Sequence, residues 1–379
     1  MNFSKKNKKP TVYFPVELDN QTYLGNLYGY FHKETNIYNV VGYENNLELS
    51  LIGKIVENKS DIQEAESIYG LRSNEGILFS TGEGKSCKKE LYSLVLDVFS
   101  RNTGILETSI MQNKCAIISG CGSVGSLVAL ELAKAGVGRF LLIDNDTVAY
   151  HNICRHQCGI ADVGKYKVSA IKDRILQINP TALVETVDDI IENVPKEVFD
   201  RHCSNDALII GCADNREGDI YANKNIAKYF NIPFVSIGFW ERAFAGEIFY
   251  SVDSNKPCYE CFYKSIGADV SARTNTNRRI YTNEADLVKV NFEPGISTDI
   301  NFVTVIAIKL ILDIFNIQNP NYTPKLLNHL TQFTLVCNTN DTKIGGEQAE
   351  IFSYPLQVTT SIEIDFCDEC AINQKCKHS

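Results

Sequence analysis

Three glycines and one aspartate in the middle of the chain have the spacing of a nucleotide-binding site. Gly120, Gly122 and Gly125 form a G-x-G-x-x-G motif between an apolar stretch and a stretch with helical periodicity. Because glycine has no side chain, the backbone there can approach a phosphate, and the dipole of the following helix favours its charge. Asp144 ends the next apolar stretch, where a carboxylate can bind ribose hydroxyls. These four residues fit an NAD- or FAD-dependent dehydrogenase as well as an ATP enzyme.

Charged and polar residues after Asp144 favour ATP. An enzyme that transfers hydride needs no cluster of cations, whereas a departing pyrophosphate is stabilised by arginine and lysine side chains. Asp214 follows another apolar stretch, where a carboxylate would hold Mg²⁺ against the phosphates. Any one of these residues could be a solvated surface charge, but several at the ends of predicted strands indicate a site for ATP and Mg²⁺. Its further candidate residues are Asp146, Asn152, Arg155, Lys165 and Lys167.

Two Cys-x-x-Cys pairs lie far apart in the sequence, Cys258 with Cys261 and Cys367 with Cys370. Four thiolates in two such pairs are typical of a tetrahedral Zn²⁺ site, which is structural because no coordination position stays open for water. One pair alone could be a redox centre. The two pairs together predict a C-terminal zinc clamp.

The predicted chemistry requires elements that bring these residues together, and the sequence after residue 113 supplies them. A strand, a glycine turn, a helix and a second strand follow one another, and the alternation continues with a helix near residues 162–178. This pattern predicts an α/β fold with a doubly wound, mostly parallel, Rossmann-like sheet. In such sheets ligands bind at the carboxyl ends of the strands, and Gly120, Asp144 and Asp214 all follow predicted strands.

Residues 11–100 have a different pattern, with short alternating stretches rich in aromatic residues. They predict a small N-terminal α+β domain of mixed strand and helix. We therefore expect an accessory or partner-recognition domain over residues 1–100, and a nucleotide-binding domain with the zinc clamp over residues 101–379.

The composition argues against several classes of function. The net charge of −9 and the isoelectric point near 5.3 argue against a nucleic-acid surface, because phosphate backbones require clustered lysine and arginine. The longest apolar stretch, residues 302–315, is short for a bilayer and is interrupted by Lys309 and Asp313, so we expect a buried helix and no membrane contact. Thirteen cysteines without a hydrophobic leader favour thiols and metal ligands over disulfides, and predict a cytoplasmic protein.

Over roughly residues 95–370 the sequence resembles the ThiF- and MoeB-like superfamily of ubiquitin-activating enzymes, which includes the peptide-activating enzyme of microcin biosynthesis. The resemblance is carried by the glycine motif, the stretches IDNDTVAYHNICRH and DVGKYK, the sequence A-D-N at Asp214 and the cysteine pairs. It implies that Asp144 binds ribose and that Asp214 binds magnesium. The residues that it places at the ATP phosphates are Asn152, Arg155 and Lys167.

The resemblance also concerns two further residues. Arg101, in the sequence FSRN, resembles the arginine that in the family reaches into the active site of the other subunit, which implies a homodimer. His156 stands where the family usually has glutamine. The residues that the resemblance implies in catalysis are Arg101, Arg155, Lys167 and Asp214.

The function implied is ATP- and Mg²⁺-dependent adenylation of the C-terminal carboxylate of a ubiquitin-like protein or peptide, with release of pyrophosphate. Residues 101–379 would form the adenylation domain. Three alternatives stay open: a thioester-forming activator of a sulfur-carrier protein, a nucleotide-binding subunit without enzymatic activity, and a dehydrogenase.

The cysteines bear on the fate of the acyl adenylate. No cysteine occurs between Cys261 and Cys337, where many relatives in the superfamily carry the thiol that forms a thioester. We therefore expect transfer of the acyl group to an amine or to a partner's thiol, with a conjugating enzyme as a candidate partner. Cys154 or Cys158 as the nucleophile is the alternative.

Overall fold

The computed structural model describes residues 9–19, 22–43, 49–58, 68–73, 76–252, 255–267, 270–273 and 294–367. The chain divides into two compact units, one of residues 1–101 with 179–181 and the other of residues 102–178 with 182–379. Cys370, the fourth ligand of the predicted zinc clamp, lies outside the described residues.

The first unit contains a seven-stranded sheet with the spatial order β6-β5-β4-β2-β3-β1-β7. Its strands are β1 (Thr11–Pro15), β2 (Gly25–His32), β3 (Ile37–Gly42), β4 (Ser50–Val56), β5 (Ile68–Ser73), β6 (Gly76–Thr81) and β7 (Lys88–Tyr92). Buried and exposed side chains alternate, as in β6, where Ile77 and Phe79 are buried and Leu78 is exposed. Among its described residues the helical content is smaller than expected: helix α1 (Val16–Asp19) and the first two residues of a 3-10 turn, Ser100–Asn102.

The second unit contains an eight-stranded sheet with the order β10-β9-β8-β11-β12-β13-β14-β15. Its strands are β8 (Cys115–Ser119), β9 (Arg139–Ile143), β10 (Leu183–Val187), β11 (Ala207–Gly211), β12 (Phe234–Phe239), β13 (Ala245–Ser251), β14 (Phe333–Cys337) and β15 (Val358–Ile362). The first five in the spatial order are parallel, and β13, β14 and β15 extend the sheet with antiparallel pairings.

Helices connect these strands. They are α2 (Thr108–Met111), α3 (Ser123–Lys134), α4 (Lys167–Ile178), α5 (Lys196–His202), α6 (Arg216–Tyr221), α7 (Lys228–Phe230), α8 (Tyr259–Phe262), α9 (Ser297–Phe315) and α10 (Thr342–Gly345). A π-helical segment, Ala222–Ala227, joins α6 to α7. All five residues of β8 and of β11 are buried, as expected for parallel strands covered on both faces. The predicted α/β fold with a mostly parallel sheet is confirmed.

One helix begins later than its pattern predicts. The expected helix near residues 162–178 begins at Lys167, and residues Ile160–Asp162 form a separate 3-10 turn. Gly164 between them has a φ of +93°, which is incompatible with a continuous right-handed helix. The later start makes Lys167 the first residue of α4.

The long apolar stretch forms α9, and its interior acid is fully buried. The Asp313 carboxylate accepts hydrogen bonds from the Tyr322 hydroxyl and from the backbone N–H groups of Lys325, Leu326 and Leu327, at 2.6–3.0 Å. These donors offset the cost of removing the carboxylate from water, which explains an acid within an otherwise apolar helix. Among the described residues no helix combines the length and the hydropathy needed to cross a membrane.

Candidate functional site

The carboxyl ends of three neighbouring strands bring predicted site residues to one edge of the eight-stranded sheet. Gly120 directly follows β8, Asp144 directly follows β9, and Asp214 lies just after the end of β11. In the sheet, β9 lies on one side of β8 and β11 lies on the other side, so the connections that leave β8 and β11 run in opposite directions. Connections that diverge in this way open a crevice at the sheet edge, and ligands bind there in doubly wound folds.

The glycine motif forms a tight loop between β8 and α3. Gly120 has a φ of +92°, and a Cβ on it would lie 2.6 Å from the backbone nitrogen of Ala213. A Cβ on Gly125 would lie 1.8 Å from the carbonyl oxygen of Gly120. A Cβ on Gly122, the residue before α3, would have no described residue within 4 Å other than its chain neighbours. The loop is therefore closely packed against its neighbours and open at the N-terminus of α3, where an anion can bind.

Asp144 is part of this loop's structure. Its Oδ2 accepts a hydrogen bond from the N–H of Cys121 at 2.6 Å, and its Oδ1 accepts one from the N–H of Asp146 at 2.8 Å. Burial raises the pKa of Asp144, while the ammonium of Lys167 and the two backbone donors act to lower it. The carboxylate thus fixes the glycine loop and keeps lone pairs for other donors.

Lys167 lies beside both acids of this region. Its Nζ is 2.6 Å from Asp146 Oδ2 and 3.9 Å from Asp144 Oδ1. Burial acts to lower the pKa of Lys167, but the two carboxylates outweigh it and raise that pKa, so the side chain stays a cation. The Nζ of Lys165 pairs with Asp173 at 3.1 Å and lies 3.9 Å from Asp162 Oδ1.

Asn152 and Arg155 lie in a turn after β9. The Oδ1 of Asn152 accepts a hydrogen bond from the N–H of Ala149 at 2.8 Å, which fixes the turn Tyr150–Asn152. The guanidinium of Arg155 lies near the segment that precedes α9, because a Cβ on Gly295 would be 3.8 Å from its Nη1.

His156, next to Arg155 in sequence, contacts the glycine loop, a role that the sequence did not indicate. Its Nε2 is 2.7 Å from the carbonyl oxygen of Cys121, and its Nδ1 accepts the N–H of Cys158 at 3.1 Å. Since Nδ1 is an acceptor, the proton lies on Nε2, which donates to Cys121. Burial lowers the pKa of His156 and favours this neutral form. The sequence marks this position only by a histidine where the family usually has glutamine, which does not by itself indicate a contact with the loop.

Asp214 is exposed in the turn between β11 and α6. The next residue, Asn215, caps α6 by accepting the N–H of Gly218 at 2.7 Å. Asp214 therefore presents a carboxylate at the open edge of the sheet. Arg101 belongs to the first unit, in the exposed turn Ser100–Asn102.

Three cysteines of the predicted zinc clamp lie together and are buried. Cys258 and Cys261 have their sulfur atoms 3.8 Å apart, and the sulfur of Cys261 is 3.8 Å from that of Cys367. Phe366 packs against the group. Among the described residues no group of three or more histidine, cysteine, aspartate or glutamate side chains is arranged to hold a metal ion, and Cys370 is not among those residues.

The two candidate nucleophiles, Cys154 and Cys158, differ in their environment, and Cys212 directly after β11 is a further thiol near the site. Cys154 is exposed, whereas Cys158 and Cys212 are buried. Burial raises the pKa of Cys158 to about 11, and it also raises the pKa of Cys212. Since the thiolate is the nucleophile, the two buried residues are poor candidates for covalent catalysis.

Brief alkylation of the folded protein with iodoacetamide at pH 7.5 is expected to modify Cys154 and to leave Cys158 and Cys212 unmodified. Peptide mass spectrometry measures the modified fraction at each residue. Unfolding in urea before alkylation is the control, because it should expose all three thiols. Modification of Cys158 at the rate of Cys154 in the folded protein would contradict the environment described here.

Comparison with known proteins gives a family match and partial relatives. The model of the ThiF family matches residues 101–343. The adenylyltransferase and sulfurtransferase UBA4 of Meyerozyma guilliermondii is 30% identical over 162 residues, which are 42% of this chain and 37% of that protein. The molybdopterin-synthase adenylyltransferase of Escherichia coli is 29% identical over 160 residues, which are 41% of this chain and 61% of that protein. Each match spans less than two thirds of the relative's length.

The fold is shared with solved structures. The crystal structure of Escherichia coli MccB with MccA-N7isoASN aligns with a TM-score of 0.50 and 20% identity, over 69% of each chain. At this identity the likeness concerns the fold alone.

Proposed function

Because this chain belongs to the ThiF family, we propose that it is an ATP- and Mg²⁺-dependent adenylyltransferase that activates the C-terminal carboxylate of a ubiquitin-like protein or a peptide. The supporting observation is that the Gly120 loop, Asp144 and Asp214 follow three adjacent parallel strands. ATP at that edge would have its phosphates at the N-terminus of α3 and its ribose at Asp144. Relatives that are themselves named adenylyltransferases support the same reaction class.

The cations near the glycine loop would bind the phosphates. Lys167 is paired with Asp146, whose side chain is 65% exposed, so the Asp146 carboxylate can return to solvent when another anion takes its place. Phosphates in the crevice would compete for the ammonium group at low cost. Arg155 would bind the triphosphate from the turn after β9, and the resemblance adds Asn152 to these contacts.

Asp214 fits a magnesium site, because Mg²⁺ in nucleotide sites is bound by one or two carboxylates together with substrate phosphates and water. The bound ion would neutralise phosphate charge and favour departure of pyrophosphate. Asp214 is exposed at the open edge, so its carboxylate is accessible to such an ion.

The reaction needs positioning more than covalent catalysis. A carboxylate oxygen of the polypeptide attacks the α-phosphorus of ATP, the bond to the bridging oxygen breaks, and pyrophosphate leaves with that electron pair. The products are an acyl adenylate and pyrophosphate. Arg155 and Lys167 would stabilise the charge that moves to the leaving group. The burial of Cys158 and Cys212 argues against a thioester on either of them, whereas the exposed Cys154 stays the alternative to transfer to an amine or to the thiol of a partner such as a conjugating enzyme.

ATP–pyrophosphate exchange tests the proposal directly. The purified protein is incubated with ATP, Mg²⁺ and labelled pyrophosphate, with and without the small-protein and peptide fraction of host lysate. Exchange that depends on this fraction supports carboxylate adenylation. Binding of ATP without exchange, across fractions from several growth conditions, would instead favour a nucleotide-binding subunit without enzymatic activity.

We also propose that Cys258, Cys261, Cys367 and Cys370 hold a structural Zn²⁺. With Zn–S bonds of about 2.3 Å, tetrahedral geometry places thiolate sulfurs about 3.8 Å apart. The separations of 3.8 Å between Cys258 and Cys261 and between Cys261 and Cys367 agree with this value. The ion would tie the segment after β13 to the chain beyond β15.

Cys261→Ser is expected to lower the zinc content of the purified protein from about one ion per chain to a small fraction of that. Serine lacks the thiolate that makes this set of ligands selective for zinc. Inductively coupled plasma mass spectrometry measures the content, and Cys154→Ser serves as the matched control because Cys154 is exposed and lies outside the cluster. Equal zinc in both variants would contradict the site.

Two further parts of the proposal concern assembly. Arg101 would bind the phosphates of the other subunit in a homodimer, and the domain at residues 1–100 would recognise the polypeptide substrate. Light scattering after size-exclusion chromatography measures the mass of the assembly. If the chain is a monomer at working concentration while exchange is intact, the role of Arg101 is excluded.

A further inference from the structure

A buried arginine lies outside the residues considered so far. The side chain of Arg273 is 2% exposed and that of its ion-pair partner Asp219 is 0% exposed. Its Nη1 donates to Asp219 Oδ2 at 2.6 Å, to the hydroxyl of Ser236 at 3.0 Å and to that of Tyr259 at 3.2 Å. A buried charge persists only with such partners, so the guanidinium is held in one position.

Two strand glycines make room for this ion pair. A Cβ on Gly211, at the end of β11, would lie 2.0 Å from Asp219 Oδ1. A Cβ on Gly238, in the adjacent β12, would lie 2.5 Å from Cδ of Arg273. At such distances either the new side chain or the ion pair would have to shift, so a larger residue at either position would disturb Arg273 and Asp219. Strands β11 and β12 thus carry glycine at the two positions where the backbone lies against Asp219 and Arg273.

The other end of the guanidinium reaches the crevice. Nη2 of Arg273 donates to the carbonyl oxygen of Ala213 at 2.6 Å. Ala213 directly precedes Asp214, and its backbone nitrogen is the atom that lies 2.6 Å from the Cβ position of Gly120. One short backbone segment therefore contacts the glycine loop on one side and accepts a hydrogen bond from Arg273 on the other.

The segment that carries Arg273 is itself anchored. The hydroxyl of Ser271 donates to Glu247 Oε2 at 2.6 Å and accepts from Nη2 of Arg216 at 2.8 Å. A backbone bridge pairs Arg273 with Trp240, directly after β12. These contacts tie the segment of Arg273 to β13 and to α6, the helix that begins directly after Asn215. They therefore hold the backbone of Arg273 in place beside Ala213.

We propose that Arg273 is a positioning residue that fixes the turn of Ala213 and Asp214, and thereby sets the affinity for Mg²⁺ in the nucleotide site. The inference rests on the function proposed above, since it assumes that Asp214 binds the ion. Arg273 touches neither nucleotide nor metal. It acts through one backbone carbonyl, and loss of that hydrogen bond leaves the Asp214 carboxylate free to move.

The test uses Arg273→Lys with Tyr259→Phe as the matched control. Lysine keeps the positive charge for Asp219, but a single ammonium cannot bond to both Asp219 and Ala213 as the fork of a guanidinium does. Tyr259→Phe removes one hydrogen bond from Nη1 and leaves the bond between Nη2 and Ala213. Binding of a non-hydrolysable ATP analogue is measured by calorimetry across a Mg²⁺ titration, after thermal unfolding has confirmed that each variant is folded.

Arg273→Lys is expected to raise the Mg²⁺ concentration for half-maximal nucleotide binding by about tenfold or more, as for other residues that orient a metal ligand. Tyr259→Phe should leave it unchanged. An unchanged requirement in Arg273→Lys, or an equal shift in both variants, overturns the inference. If Arg273→Lys does not fold, the double variant Asp219→Asn, Arg273→Gln replaces it, because it removes both charges of the ion pair together.

Asp214→Ala separates this inference from the function on which it rests. If this variant has the Mg²⁺ requirement of the unchanged protein, the proposed magnesium site is wrong, and the role of Arg273 is lost with it. If Asp214→Ala loses the Mg²⁺ response while Arg273→Lys keeps it, the magnesium site stands and the positioning role alone is refuted.

Discussion

Asp214→Ala is expected to reduce ATP–pyrophosphate exchange by about 10²-fold or more, while the fold and the zinc content stay unchanged. The variant removes the one carboxylate of the turn between β11 and α6 that faces the open edge of the sheet. Without it the phosphates of ATP would keep their full charge during departure of pyrophosphate. Because Asp214 is exposed, its loss leaves no cavity and no unpaired buried group.

The matched control for this variant is Asp206→Ala. Asp206 directly precedes β11 and pairs with Lys114 at 2.6 Å, so it is an acid at the opposite end of the same strand. The side chain of Asp206 is 44% exposed and that of Lys114 is 11% exposed, so thermal unfolding first confirms that this control, remote from the proposed nucleotide site, is folded. Exchange should therefore survive in Asp206→Ala. Full exchange in Asp214→Ala would refute the assignment of magnesium to this residue.

The order of the elements in the second unit could be predicted because local patterns determine it. Parallel strands covered on both faces are continuous apolar stretches, and the sequences of β8, β9 and β11 are of this kind. A G-x-G-x-x-G motif directly after such a strand is typical of a phosphate-binding turn that leads into a helix. Since parallel strands end at the same edge, the meeting of Gly120, Asp144 and Asp214 follows from the pattern alone.

Side-chain partners were harder to predict, because they depend on contacts between residues far apart in sequence. Arg273 and Asp219 are 54 positions apart, and nothing near either residue indicates an ion pair. His156 contacts Cys121 from 35 positions away. Lys167 was expected at the phosphates, and in this structure its ammonium lies against Asp146. Burial and geometry in three dimensions select such partners, so residue types in the sequence do not identify them.

Gly125→Ala is expected to destabilise the protein and to weaken ATP binding together. The Cβ of alanine would lie 1.8 Å from the carbonyl oxygen of Gly120, which belongs to backbone and cannot move aside as a flexible side chain would. Either α3 or the Gly120 loop must shift. Overpacking of this kind costs about 1–3 kcal/mol, and a shifted loop no longer directs its N–H groups at a phosphate.

Gly159→Ala is the matched control, because Gly159 has an extended backbone and the Cβ position lies 3.7 Å from Nη2 of Arg174, an ordinary contact. Urea unfolding measures the stability of both variants, and calorimetry measures their affinity for ATP. Gly159→Ala should match the unchanged protein in both measurements. If Gly125→Ala is as stable as this control and binds ATP equally well, the close approach of α3 to the Gly120 loop is not needed. The proposal that this loop binds the phosphates would then lose its structural basis.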